Sequence, residues 1–413
     1  MVSLICTLQD HRDDVNWCAF SATLLATCSG DKTLRIYNTK DFSELPFSPL
    51  TGHGYGVHCC CFSNCGQFLA SCSTDATVMI WSMVSGEIEA VLEHPGCRPV
   101  RVCTLSPDSA HLVSGASDGS LALWDFPSRQ CCRTGAVPDM SMVACSFSPC
   151  SQLFVTGSTY GDLRLWDLNM NQLHAEKNAH DLGVSCCTFS PDIHSGGQVV
   201  QFRLASCGQD SLLKIWAINK HNGGVYKMQL LNSLTGQSAP VLSCAYSADG
   251  QLLLYNIILL LQANATLLYT LSQHDRYVTA CSFSPTSPII ATGSMDKTVN
   301  IWRVEDGCNG QGQQLLYQNM VCAFVLHLNW LCCIGLSRMS APDQYSLSRS
   351  SLNPSLRHFN VSSPDFFPLS LLLLTSLPLL LFSFTNKSVS TVQWGKKVFS
   401  QPPTVQVLPL KKM

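Results

Sequence analysis

One phrase recurs along this chain about every 43 residues. Each of seven copies has a short apolar strand in which Cys sits two residues before an aromatic residue or Leu. In most copies a later strand ends in Trp, at Trp81, Trp124, Trp166, Trp216 and Trp302, with Tyr37 in that place in the first copy. The interval from Trp216 to Trp302 is twice the usual step, so one copy lies inside it without its Trp. A period of roughly 40–45 residues ending this way marks one four-stranded blade of a β-propeller.

The second copy shows the pattern most fully. His53 lies in a loop, residues 57–62 read as a first strand, and Ser63, Asn64, Cys65 and Gly66 as a turn. Residues 68–73 form a second strand, Thr74-Asp75-Ala76 a tight turn, 78–81 a third strand, and 88–92 a fourth after Ser85-Gly86-Glu87. Short strands bounded by Gly, Asp, Ser and Asn read as one antiparallel sheet. Such a sheet has two apolar faces, which are buried only by stacking it against copies of itself.

The spacing of His, Ser/Thr, Asp and Trp resembles the WD-repeat (WD40) family, in which these residues form a hydrogen-bonded tetrad within a blade. Carried over by position, the resemblance implies His53, Ser71, Asp75 and Trp81 in the second copy, and His94, Ser114, Asp118 and Trp124 in the third. It implies His180, Ser206, Asp210 and Trp216 in the fifth, and His274, Thr292, Asp296 and Trp302 in the seventh. The first copy supplies His11, Thr27 and Asp31, with Tyr37 in the Trp position. The chemistry stands without the family. Asp can accept from the turn and from His, His can donate on to Ser/Thr, and the hydroxyl can accept the indole N–H, so each buried polar group has a partner. Ser, His and Asp together also suggest a hydrolase, but the set recurs with a Trp attached and no G-x-S-x-G elbow accompanies it. No phosphate-binding Gly loop or H-E-x-x-H motif is present, and no metal or cofactor is expected.

Two copies depart from the pattern. The fourth has Tyr160 in place of the turn Asp, with Asp162 two positions late, and lacks the His. The sixth, about 237–271, has Gln237 where His is expected, and then LLLYNIILLLQANATLLYTL in place of the turn and its Trp. We read it as a degenerate blade in which 257–261 stands in for a strand. Residues 3–8 match the fourth strand of other copies, while the seventh copy stops after its third strand. The N-terminal strand is therefore expected to complete the last blade and leave no open edge. The expected fold is all-β: a seven-bladed WD40 propeller over 1–304, closed by the N-terminal strand, with an irregular tail over 305–413.

Composition narrows the partners. Net charge is −2 with 13% charged residues, and no basic stripe of the kind that contacts phosphates is present. Nucleic acid is therefore not expected. The N-terminus has acidic residues by position 10 and no signal-peptide pattern, so the 23 Cys read as reduced thiols of a cytoplasmic chain, with the nucleus also open. Cys18, Cys60, Cys103, Cys145, Cys187, Cys244 and Cys281 share a strand face with the residue two further on, where a thiol packs as a small hydrophobe. In the tail, residues 315–336 and 366–386 contain no charged side chain. Each is long enough to span a bilayer, which keeps a membrane-tethered alternative open, although Pro368 and Pro378 interrupt the second.

Longer runs resemble one branch of WD-repeat proteins in particular: LATCS leading to Ile36-Tyr37, VHCCCFS at 57–63, RLASCGQD at 203–210, and Tyr277-Val-Thr through ATGSMDKTVNIW ending at Trp302. In that branch a SAM helical domain and a U-box follow the propeller, and the U-box recruits a ubiquitin-charged conjugating enzyme. The resemblance implies a role in protein ubiquitination. Neither domain is recognisable in the tail, so the leading expectation is a monomeric, non-enzymatic scaffold or substrate-recognition module. The alternative is an active U-box ligase in a longer form. WD propellers bind protein partners on the face that leads into the first strands. Positions four and six before each first-strand aromatic point there, and they include Asp14, Asn16, His58, Arg101 and Tyr277.

Overall fold

The computed structural model describes residues 2–137, 140–196, 199–220, 224–235, 239–256, 258–261 and 266–304 of the 413. Gln237 and the tail over 305–413, with both charge-free stretches, lie outside the described residues. Within them the strands form seven four-stranded antiparallel sheets, and no helix is present. The protein is an all-β propeller.

The second sheet illustrates the construction. Its strands are Val57–Phe62, Phe68–Ser73, Thr77–Ser82 and Ile88–Glu93, paired in chain order. The second and third strands are buried almost throughout because both of their faces meet neighbouring sheets, whereas the fourth alternates toward solvent at the rim. Seven apolar clusters fill the seven spaces between neighbours. First strands also touch in sequence around the axis, and the circle closes where Val278–Phe283 meets Val15–Phe20. Each Cys two residues before the aromatic is buried in this packing except Cys145, which is half-buried and lines a small axial void.

Val2–Leu8 pairs antiparallel with Val299–Val304 and supplies the fourth strand of the seventh sheet, so both ends of the described chain meet in one sheet. The fifth sheet spends its longer interval on hairpin extension. Val184–Gly196 and Val199–Gly208 pair beyond a register break after Phe189, and the third and fourth strands lengthen to match.

The sixth sheet is the slightest. Its strands are Cys244–Tyr246, Leu252–Tyr255, Ile258–Leu261 and Thr266–Thr270, so the run expected at 257–261 does form a strand from Ile258. The cluster joining it to the seventh sheet is the thinnest of the seven among the described residues: Leu254, Leu271, Cys281, Ile290 and Trp302. Asn256 takes the place of the missing Asp turn. It sits at φ 47°, a conformation Asn tolerates better than most residues. Its side-chain amide donates to the Pro240 carbonyl at 2.9 Å, and its side-chain oxygen accepts from the Leu242 N–H at 2.9 Å. One Asn thus ties the turn to the loop leading into the first strand, which is what the His–Asp pair does elsewhere.

Candidate functional site

In the second sheet the four residues form one continuous chain of hydrogen bonds. The Trp81 indole N–H donates to Ser71 Oγ at 2.8 Å, Ser71 Oγ lies 2.8 Å from His53 Nε2, and His53 Nδ1 lies 2.8 Å from Asp75. The fifth sheet repeats this through Trp216, Ser206, His180 and Asp210, and the seventh through Trp302, Thr292, His274 and Asp296. Burial lowers the pKa of His53 and His180 against the pull of their Asp partners, so both rings are neutral near pH 7. A neutral imidazole facing a carboxylate through Nδ1 carries its proton there, which leaves Nε2 as an acceptor. The hydroxyl therefore donates to His, the reverse of the direction expected from sequence, and the relay runs Trp to Ser to His to Asp.

Asp75 shows why the turn is well fixed. One carboxylate oxygen accepts from the Thr77 N–H at 3.0 Å and its hydroxyl at 2.6 Å, and the other accepts from His53 and from the Gly54 N–H at 2.9 Å. Burial works to raise its pKa, but these bonds prevail and hold it low. The same opposition, with the same outcome, acts on Asp31 and Asp296.

Two sheets depart from the expected tetrad. In the first, His11 bridges Thr27 and Asp31 at 2.9 Å each, but the Tyr37 hydroxyl donates to Asp10 at 2.9 Å rather than to Thr27. In the third, Trp124 donates to Ser114 at 2.9 Å, yet His94 and Asp118 are not joined. The cause is the residue after the histidine. Arg12, Gly54, Asp181 and Asp275 each donate a backbone N–H to the turn Asp, whereas Pro95 has none to give. Instead His94 Nδ1 accepts the Gly96 N–H at 3.2 Å, and its buried Nε2 makes no well-formed hydrogen bond. Burial lowers the His94 pKa, partly offset by the Ser114 carbonyl beside it.

The connectivity Ser–His–Asp matches that of a hydrolytic triad, but the setting does not allow attack. Ser71, Ser206 and Thr292 are fully buried, and each hydroxyl already accepts an indole N–H. These groups fix turns. Among the described residues no group of three or more His, Cys, Asp or Glu side chains is placed to hold a metal ion.

The face that leads into the first strands carries the exposed groups. Asn16, His58 and Arg101 line one axial cavity of about 460 Å³, to which all seven sheets contribute. Asn16 uses its amide internally, donating to the Val57 carbonyl at 2.7 Å. His58 Nε2 accepts the Thr74 hydroxyl at 2.7 Å and lies 3.2 Å from an Arg101 guanidinium nitrogen. Tyr277 lines a separate opening between the sixth and seventh sheets, and Asp14 lines neither. Sequence reasoning missed Tyr55, Tyr160 and Leu182, which with Tyr277 are 52–66% exposed on this face. Tyr55 and Leu182 stand two residues before a first strand, a position that could have been read. Tyr160 was visible only as a broken turn, and losing the Asp there puts an aromatic ring into solvent.

The WD domain, G-beta repeat family model matches residues 2–38, 45–82, 86–125, 130–167, 171–217 and 265–303, and the chain belongs to the WD40 repeat family. Most of the sixth sheet falls outside these segments. Among its relatives, the chain is similar to WD repeat, SAM and U-box domain-containing protein 1 of Danio rerio, with 71% identity over 283 residues, 67% of this chain and 58% of that protein. It is 53% identical over 254 residues to the protein of the same name in Homo sapiens, covering 61% of this chain and 53% of that one. It is also 25% identical over 301 residues to the target of rapamycin complex subunit wat1 of Schizosaccharomyces pombe, covering 73% of this chain and 68% of that protein. The chain thus spans little more than half the length of the WD repeat, SAM and U-box relatives.

Proposed function

We propose that this chain is a protein-recognition module in which all seven sheets act as blades, the sixth being degenerate, and that it works as a monomeric scaffold within protein ubiquitination. The observation that carries the recognition role is the set of Tyr55, Tyr160, Leu182 and Tyr277, exposed together on one face of a closed ring. Large side chains on a rigid frame suit partner binding because little conformational entropy is lost on contact. The link to ubiquitination rests on the U-box in the names of the relatives. A cytoplasmic setting agrees with the free thiols at all the described cysteines.

A photo-crosslinking residue placed at 160 or 277 in the full chain is expected to capture a discrete partner that belongs to ubiquitin transfer. The same residue at 84, where Val84 is exposed in a turn on the opposite face, is expected not to. Equal capture from both faces would contradict the reading.

A further inference from the structure

The axial cavity has an uneven charge that the recognition role alone does not explain. Arg101 is the only charged side chain among the described residues lining it, and no Asp or Glu is there to neutralise it. Arg101 forms no ion pair among the described residues, and its hydrogen-bond partner among them is His58 at 3.2 Å. A ring nitrogen that accepts from both Thr74 and Arg101 is unprotonated, so a neutral acceptor stands where a carboxylate would usually hold an arginine. Burial first, and the Arg101 charge second, lower the His58 pKa to about 4, which keeps the ring neutral.

The remaining surroundings favour an incoming anion. A guanidinium has five N–H donors in a fixed fork, most of them unused here. Ser185 Oγ, from the fifth sheet and lining the same cavity, is buried without a partner. Trp17, Val102, Val143 and Val184 give the lining an apolar part, and apolar walls of low dielectric strengthen the attraction between unlike charges. Trp17 packs against the clusters of the first, second, third, fifth and sixth sheets, so it reaches across the axis and limits the depth of the cavity. The space therefore holds one cation among the described residues.

We propose that the axial mouth is a receptor for a single carboxylate, an acidic side chain on a segment of a partner protein, with Arg101 as its anchor and Ser185 as a second donor. A single arginine matches the single charge of a carboxylate better than the nearly double charge of a phosphate group. The proposal rests on the recognition role and deepens it by naming the chemistry of the partner.

Calorimetry on the full chain tests it, using acetyl-Ala-Ala-Glu-Ala-Ala-amide, its Gln counterpart and inorganic phosphate. The Glu peptide is expected to bind about tenfold more tightly than the Gln peptide, and Arg101→Gln to abolish that preference. Arg101 is exposed, so the variant is expected to melt as the parent does. Arg101→Glu is expected to reverse the preference in favour of a Lys peptide. Equal binding of the Glu and Gln peptides, no binding of either, a preference that survives Arg101→Gln, or tighter binding of phosphate would overturn the proposal. Capture at positions 160 and 277 would stand in each case, so the two readings fail separately.

Discussion

The second and sixth sheets occupy equivalent places in one ring but are held there differently. In the second, Trp81, Ser71, His53 and Asp75 form a closed relay, and the turn at Asp75 is bound from four directions. In the sixth no such relay is present among the described residues, Asn256 stands at the turn, and the first strand is only Cys244–Tyr246. Four strands still form. The sixth sheet keeps Leu253, Leu254 and Tyr255 buried between neighbours already in place, and apolar burial is proportional to area whether or not a tetrad accompanies it. The comparison teaches that packing between sheets makes the ring, while the tetrads fix the turns on the face that leads into the first strands.

This contrast can be broken at its strongest point first. Asp75→Ala removes four hydrogen bonds and leaves the buried His53 Nδ1 with only the distant Thr77 hydroxyl at 3.4 Å. It is expected to destabilise the ring by about 3 kcal/mol, measured as a shift in urea midpoint. Asn256→Ala removes two bonds from a less constrained turn and is expected to cost about 1–2 kcal/mol. A cost equal to that of Asp75→Ala would show that the sixth turn is held as firmly as the second.

Acid should weaken the sheets with tetrads. The folded pKa of His53 and His180 lies below the ordinary 6.5, so the unfolded chain binds these protons more readily. Stability is then full above about pH 6.5 and falls as pH drops below it. A second fall is expected below about pH 4, as the lowered carboxyls Asp31, Asp75 and Asp296 become protonated. Thermal melts from pH 8 to pH 3 check both, and a flat profile between pH 7 and pH 5 would contradict the first. The smallest effect concerns Ala76, held at φ 68° within the Asp75 turn. Ala76→Gly should relieve left-handed strain and raise the urea midpoint by less than about 1 kcal/mol equivalent.

Much of the ring was legible because a propeller repeats its chemistry. One copy with clear turns located the others, and the unpaired N-terminal strand marked the closure. What escaped was local. The failure of the third relay turns on Pro95, whose missing N–H matters only once the neighbouring loops are seen to donate theirs. Asn256 was hidden in an apolar run with no motif around it. Tyr37 occupied the Trp position but found Asp10, because a phenol reaches to a different point than an indole. Of the axial cavity, only Asn16, His58 and Arg101 could be placed on its face from the sequence, and the cavity itself could not be read, since its lining is gathered from sheets far apart in the chain.

Native-state hydrogen exchange on the full chain tests the central contrast most directly. Amides of the Phe68–Ser73 and Thr77–Ser82 strands are predicted to exchange only through global unfolding, and those of Leu252–Tyr255 through a lower-energy opening of the sixth sheet. Equal protection of the two sheets would contradict the account.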